Sequence, residues 1–209
     1  GYDGEHHKWY IEVLPFDLPS DSDTKEFFSP PLPYFIPSLI DSICDKTNEL
    51  NITNLNCTLV YGKITQALQA IMLISIFFIL KKISYLIYPD NNQHFLSLIL
   101  LFAMIPVTYK SFAMIRGEPY ISFFMFLSIY LIISICYKSK NINTKNIFLT
   151  GLFLGFMGLS RQWGLLFFPS LVVLLIFVIR SNDKRFNLNF LRYSFLSFIV
   201  SSIIFGWFY

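Results

Sequence analysis

Three short polar stretches hold most of the side chains in this chain that could do chemistry. The first is Tyr2-Asp3-Gly4-Glu5-His6-His7, where two carboxylates lie beside two imidazoles. A carboxylate so placed is a candidate general base for a hydroxyl nucleophile, and the same cluster offers oxygen and nitrogen ligands to a divalent cation, with His6 and His7 as the ligands. These residues would equally serve to solvate a helix end. The second stretch is Arg116-Gly117-Glu118-Pro119-Tyr120. Its glycine permits close backbone approach and its proline suits a first helical turn. Arg116 either pairs with Glu118 or binds a phosphate. The third is Gly158-Leu159-Ser160-Arg161-Gln162-Trp163-Gly164. A guanidinium fork beside an amide and an indole suits a lipid phosphate or a sugar, although a plain hairpin turn would also account for the sequence.

The elements that must position these groups are apolar. The 209-residue chain is 55% hydrophobic and 19% aromatic, with only 14% charged residues. Its mean hydropathy is +0.56, far from the averages of soluble domains. Residues 1–59 hold most of the prolines and acidic residues and form one unit. Residues 60–209 form a second, built of apolar blocks at Tyr61–Leu80, Phe95–Thr108, Tyr120–Tyr137, Ile147–Leu159, Leu165–Ile179 and Tyr193–Tyr209. A spanning helix needs roughly 20 apolar residues; the shorter blocks can cross if their flanks snorkel or the bilayer thins. The expectation is an all-α, polytopic bundle of about six transmembrane helices, preceded by an extracytoplasmic loop carrying short amphipathic helices. The chain opens on Gly1 and ends within an apolar run, which reads as the N-terminal part of a longer protein.

Lysine and arginine orient the bundle, because cytoplasmic loops retain them. Lys81 and Lys82, then Lys138, Lys140 and Lys145, then Arg180, Lys184, Arg185 and Arg192 follow the first, third and fifth blocks. The other face then collects the N-terminal loop, the Thr108–Pro119 connection and the Ser160–Gly164 turn, so all three polar stretches share one side of the membrane. Cys44 and Cys57 lie in the same loop on that side, where an oxidising compartment permits a bridge. Asn51-Ile52-Thr53 and Asn56-Cys57-Thr58 fit the glycosylation acceptor pattern there. The net charge of +3 carries no basic block, which removes nucleic acid from the candidate partners.

A fourth stretch, Phe27-Phe28-Ser29-Pro30-Pro31-Leu32-Pro33-Tyr34-Phe35-Ile36, reads as a rigid turn, since proline removes amide donors and restricts its predecessor. The turn feeds an amphipathic segment, Tyr34 to Ile43, suited to the membrane interface.

In order and setting, Asp3-Gly4-Glu5-His6, Ser29-Pro30-Pro31-Leu32, Arg116-Gly117-Glu118-Pro119 and Ser160-Arg161-Gln162 resemble the motifs of the GT-C superfamily of membrane glycosyltransferases. The likeness is to its protein O-mannosyltransferase and aminoarabinose transferase branches, in which an adjacent Asp-Glu pair and a His-Pro-Pro-Leu stretch occupy the first outside loop. Here Glu5 is displaced by one position and Ser29 stands where the histidine would be. The resemblance implies inverting sugar transfer from a polyprenyl- or dolichyl-phosphate donor to a lipid, glycan or protein acceptor on the extracytoplasmic face. Asp3 would be the catalytic base, with Glu5 beside it. His6 would support the acceptor or a metal, and Arg116, Glu118, Arg161 and Gln162 would bind the donor, the arginines holding its phosphate.

A transporter or lipid flippase is the principal alternative; it would place ionisable groups at the bilayer midplane and break its helices in related halves. A non-catalytic membrane scaffold is a third. The short loops and the rich Asn, Lys and Ile usage favour a bacterial inner membrane, with the endoplasmic reticulum second.

Overall fold

The computed structural model describes residues 4–14, 16–89, 92–104, 116–135, 143–169, 172–173, 176 and 184–206. Among them every regular element is helical: α1 (Gly4–Val13), α2 (Leu32–Glu49), α3 (Cys57–Ile87), α4 (Asn92–Met104), α5 (Glu118–Ser134), α6 (Thr144–Ser160), a 3-10 turn (Gln162–Leu166) and α7 (Lys184–Gly206). The chain is therefore all-α. Helices α1 and α2 pack on each other and α2 packs on α3, which also contacts α4 and α5; α5 leads on to α6 and α6 to α7.

Helix α3 is the longest of the described helices and carries a long apolar window. Its best 18-residue window has a mean hydropathy of 2.1, yet only 33% of that window is buried within the protein. Met72, Ile76 and Leu80, one turn apart, meet Tyr120 in a buried cluster. The opposite face presents Ile64, Ile71, Ile74 and Phe78, all exposed. A helix apolar all round, with half its surface uncovered, fits a membrane span. This helix is long and apolar enough to cross a bilayer; α4, α5 and α7 carry shorter apolar segments.

Several boundaries differ from the sequence expectation. Gly4 to His7 form the first turn of α1 rather than a loop, because Tyr10 and Ile11 bury one face of that helix against Tyr34 and Tyr61 while Lys8 and Glu12 pair at 3.5 Å on the other. Lys145 lies inside α6, whose N-cap Asn143 accepts from its amide at 3.0 Å. Helix α7 starts ahead of Tyr193 and takes in Lys184, Arg185 and Arg192, since good helix formers extend a nucleated helix at little cost. Thr108, Tyr137 and Tyr209 lie outside the described residues, as does part of Leu165–Ile179.

Ser29 to Pro31 form the turn expected, but helix α2 begins at Leu32, inside the Pro-Pro-Leu-Pro stretch, and takes Pro33 into its first turn, where a missing amide hydrogen costs nothing. The helix has two characters: Tyr34, Ser38, Asp41 and Cys44 are buried on the inner side, and Phe35, Leu39 and Ile43 form an exposed row. Its far end is tied to the start of α3 by a Cys44–Cys57 disulfide. Asn56 caps α3, accepting from the Leu59 amide at 3.2 Å, and Asn51 occupies an exposed left-handed turn with φ 55°.

Helices α6 and α7 pack closely. A Cβ on Gly151 would lie 2.6 Å from Val200 and one on Gly155 2.8 Å from Ile204. This four-residue spacing of glycines lets two helix backbones approach, as membrane helices commonly do. Thr150 and Tyr193 share a buried hydroxyl–hydroxyl hydrogen bond in the same interface.

Asp41 is a buried carboxyl on α2. Burial, with Asp45 and then Glu12 adding to it, pushes its pKa up, and Lys8 opposes the shift. The folded protein thus binds this proton more tightly than the unfolded chain. Stability from this group is full below the unfolded aspartate pKa of about 3.9 and falls as pH rises through the higher folded value. Asp41→Asn is expected to raise the melting temperature at neutral pH and to match wild type at the acid end; equal melting at every pH would show that the carboxyl is not strained.

Candidate functional site

Two tyrosines and a histidine organise the site from the N-terminal side. Tyr34, at the first turn of α2, stacks on Tyr10 with ring centroids 4.3 Å apart and on His7 at 5.6 Å. Its hydroxyl lies 2.8 Å from His7 Nδ1. Burial raises the Tyr34 pKa, against the lowering effect of Arg161, so the group works as a neutral phenol. Tyr10 donates to the Ser29 carbonyl at 2.7 Å, and Thr24 donates to the His6 carbonyl at 2.9 Å. Helix α1 is thereby clamped to the 24–29 segment.

That segment presents Glu26 and Ser29 to Arg161. The Ser29 hydroxyl donates to Glu26 Oε2 at 2.6 Å. Arg161 Nη1 stands 3.9 Å from the same oxygen and 3.5 Å from Ser29 Oγ, with Arg161 and Glu26 both about one-fifth exposed. Gln162 Nε2 donates to the Phe28 carbonyl at 3.1 Å. The end of α6 is thus bonded to a turn more than a hundred residues earlier.

The third component is the start of α5. A Cβ on Gly117 would fall 2.2 Å from the Ser160 carbonyl oxygen and 2.6 Å from Arg161 Cγ, so only glycine allows this backbone to press against the end of α6. Gly117→Ala is expected to cost about 1–3 kcal/mol through overpacking. Gly62→Ala, where a Cβ would meet nothing within 4 Å, serves as the control in a melting comparison; equal losses would show that Gly117 is not a contact point.

The structure brings Arg116, Glu118, Arg161 and Gln162 to one end of the helices, together with His6 and His7. Asp3 lies outside the described residues. Glu5 is exposed on the first turn of α1. Among the described residues Arg116 and Glu118 form no ion pair with each other, and Glu118 Oε2 is buried without a hydrogen-bonding partner. His7 Nδ1 is engaged by Tyr34, and His6 sets its ring edge-on to Trp9 at 5.0 Å. Neither joins a group of three metal-ligating atoms among the described residues. The group that forms, Asp41, Asp45 and Cys57, has its sulfur tied up in the disulfide.

Sequence reasoning passed over Glu26 and Tyr34 as site residues. Glu26 carried a signal, standing three residues before Ser29 at the edge of the proline turn; Tyr34 did not stand out from the chain's many aromatics. No family model, curated protein or solved structure matches this chain.

Proposed function

We propose that this protein is a polytopic membrane glycosyltransferase of GT-C type that moves a sugar from a polyprenyl- or dolichyl-phosphate donor to an acceptor on the extracytoplasmic face. A bacterial inner membrane is its expected location. The observation that carries the reading is the convergence of Arg161, Glu26 and Ser29 at 3.5–3.9 Å with Gly117 packed behind them. Three stretches remote in sequence gather at one end of an apolar bundle. Charge gathered at an end, rather than mid-helix, suits a reaction at headgroup level better than transport. The exposed Phe35, Leu39 and Ile43 row on α2 would lie in the bilayer interface beside the site.

In this mechanism Arg161 and Arg116 hold the donor phosphate. The acceptor oxygen attacks the anomeric carbon as Asp3, or Glu5 beside it, takes the hydroxyl proton. The carbon–oxygen bond to phosphate breaks, and the lipid phosphate leaves with the electron pair, its charge met by the guanidinium groups. Glu26 positions Arg161 and is not itself in contact with the reacting atoms. The direct test is transfer of labelled sugar from a polyprenyl-phosphate donor by the full-length protein and its Asp3→Asn variant. Wild-type rates in the variant would remove Asp3 as base, and failure of the wild type to transfer from any such donor would remove the reading.

A further inference from the structure

The start of α5 and the facing part of α3 hold three buried polar atoms with no hydrogen-bonding partner among the described residues: Gln69 Oε1, Glu118 Oε2 and the Tyr120 hydroxyl. Gln69 is 0% exposed and Tyr120 2%. Gln69 lies on α3, and the other two on the first turn of α5 packed against it. Gln69 Nε2 reaches the Arg116 carbonyl at 3.5 Å, and Arg116 stands one helical turn before Tyr120. Tyr120 packs against Met72, the next buried residue after Gln69 on the inner stripe of α3. Gly117 presses the same turn onto Ser160 and the Arg161 side chain.

Unpartnered buried polar atoms are expensive. Methionine for Gln69 and phenylalanine for Tyr120 would fill the same volumes without that cost, so a bound partner is the economical reason for their polarity. The chemistry of the set limits what it binds. An amide oxygen and a carboxylate oxygen accept hydrogen bonds, and a phenol donates or accepts. The ligand must therefore bring donors, and a phosphate, which brings none when ionised, is repelled by Glu118. Vicinal hydroxyls fit.

We infer that Gln69, Glu118 and Tyr120 form a sugar-ring subsite that reads the hydroxyls of the donor, while its phosphate sits at Arg161. This rests on the glycosyltransferase reading above for the identity of the ligand. The subsite makes these residues determinants of which sugar is accepted, because a site built to hydrogen-bond hydroxyls rejects a sugar that lacks or inverts one.

The test compares full-length wild type, Gln69→Met and Tyr120→Phe for binding of polyprenyl phosphate and of polyprenyl-phosphate mannose, glucose and arabinose, with melting of each unliganded protein alongside. Each substitution is expected to weaken the preferred sugar-bearing lipid about tenfold, to leave polyprenyl phosphate unchanged, and to raise the unliganded melting temperature. Equal affinity of all three proteins for the sugar-bearing lipids would overturn the subsite even if transfer depends on Arg161. Should wild type bind polyprenyl phosphate no better than a neutral lipid, the glycosyltransferase reading falls and the melting data alone decide. Unchanged or lower melting in both variants would then show that the atoms are satisfied within the protein, overturning the inference, whereas raised melting in both supports a ligand-facing site.

Discussion

Arg161→Ala is expected to lower sugar transfer from a polyprenyl-phosphate donor by about 10²–10³-fold, the loss typical when one preorganised donor to a developing oxyanion is removed. Arg161 is mostly withdrawn from water, and the ion pair it makes among the described residues, with Glu26 Oε2, is long at 3.9 Å. A charge held in place but weakly partnered is preorganised for a stronger anion. Phosphate charge grows as the glycosidic bond breaks, so the guanidinium acts more on the transition state than on the bound donor, and kcat should fall more than KM rises. Arg161→Lys should recover only part of the rate, because an ammonium lacks the planar fork. Glu26→Gln separates positioning from chemistry: it keeps the Arg161 charge while loosening its placement, and a smaller loss than Arg161→Ala is expected. Transfer by Arg161→Ala at the wild-type rate would sink the phosphate role.

Cys44→Ser is expected to destabilise the protein by about 3 kcal/mol, the chain-entropy value for closing a loop of about this size, the sequence separation being 13. Against a total stability of roughly 5–15 kcal/mol, that is a large share. The bridge is not the sole fastening of the turn between α2 and α3. Asn48 is another: its amide donates to the Leu55 carbonyl at 2.9 Å and its oxygen accepts from Thr53 at 2.8 Å and from the Leu55 amide at 3.1 Å. These hydrogen bonds should hold the turn's shape in the variant, so the loss appears in melting, not in which helices form. Reduction of the wild type should lower its melting temperature to that of Cys44→Ser, and reduction of the variant should change nothing. If reduction leaves the wild type unmoved, the two sulfurs are not joined in the protein as made.

Much of the architecture was legible because hydrophobic surface area is a local property of sequence. The apolar run from Ile71 to Leu80 has no polar face at helical spacing, and α3 contains it whole. Ser29 to Pro31 form a turn, as prolines favour, but α2 already starts at Leu32 and takes in Pro33, a first-turn proline costing the helix no hydrogen bond. Boundaries were less legible. The basic residues taken as loop markers at α6 and α7 lie inside helices, because charge says where a chain wishes to meet water, while helical hydrogen bonding continues for as long as the residues permit it.

The chain by itself determined which groups were available, Arg116, Glu118, Arg161, Gln162, His6 and His7, and that they lie in polar stretches between apolar helices. Only the tertiary structure decided what each one meets. The acid beside Arg161 is Glu26, and the group at His7 Nδ1 is Tyr34, both outside the four-residue motifs that drew attention. Gln69 and Tyr120, whose polar atoms lack partners, read in sequence as ordinary members of apolar helices. The physical reason is one of range: helix formation and burial follow from spacing within a few turns, whereas a site assembled from four stretches depends on how whole helices pack, and here that turns on a glycine, Gly117, small enough to bring α5 against the end of α6.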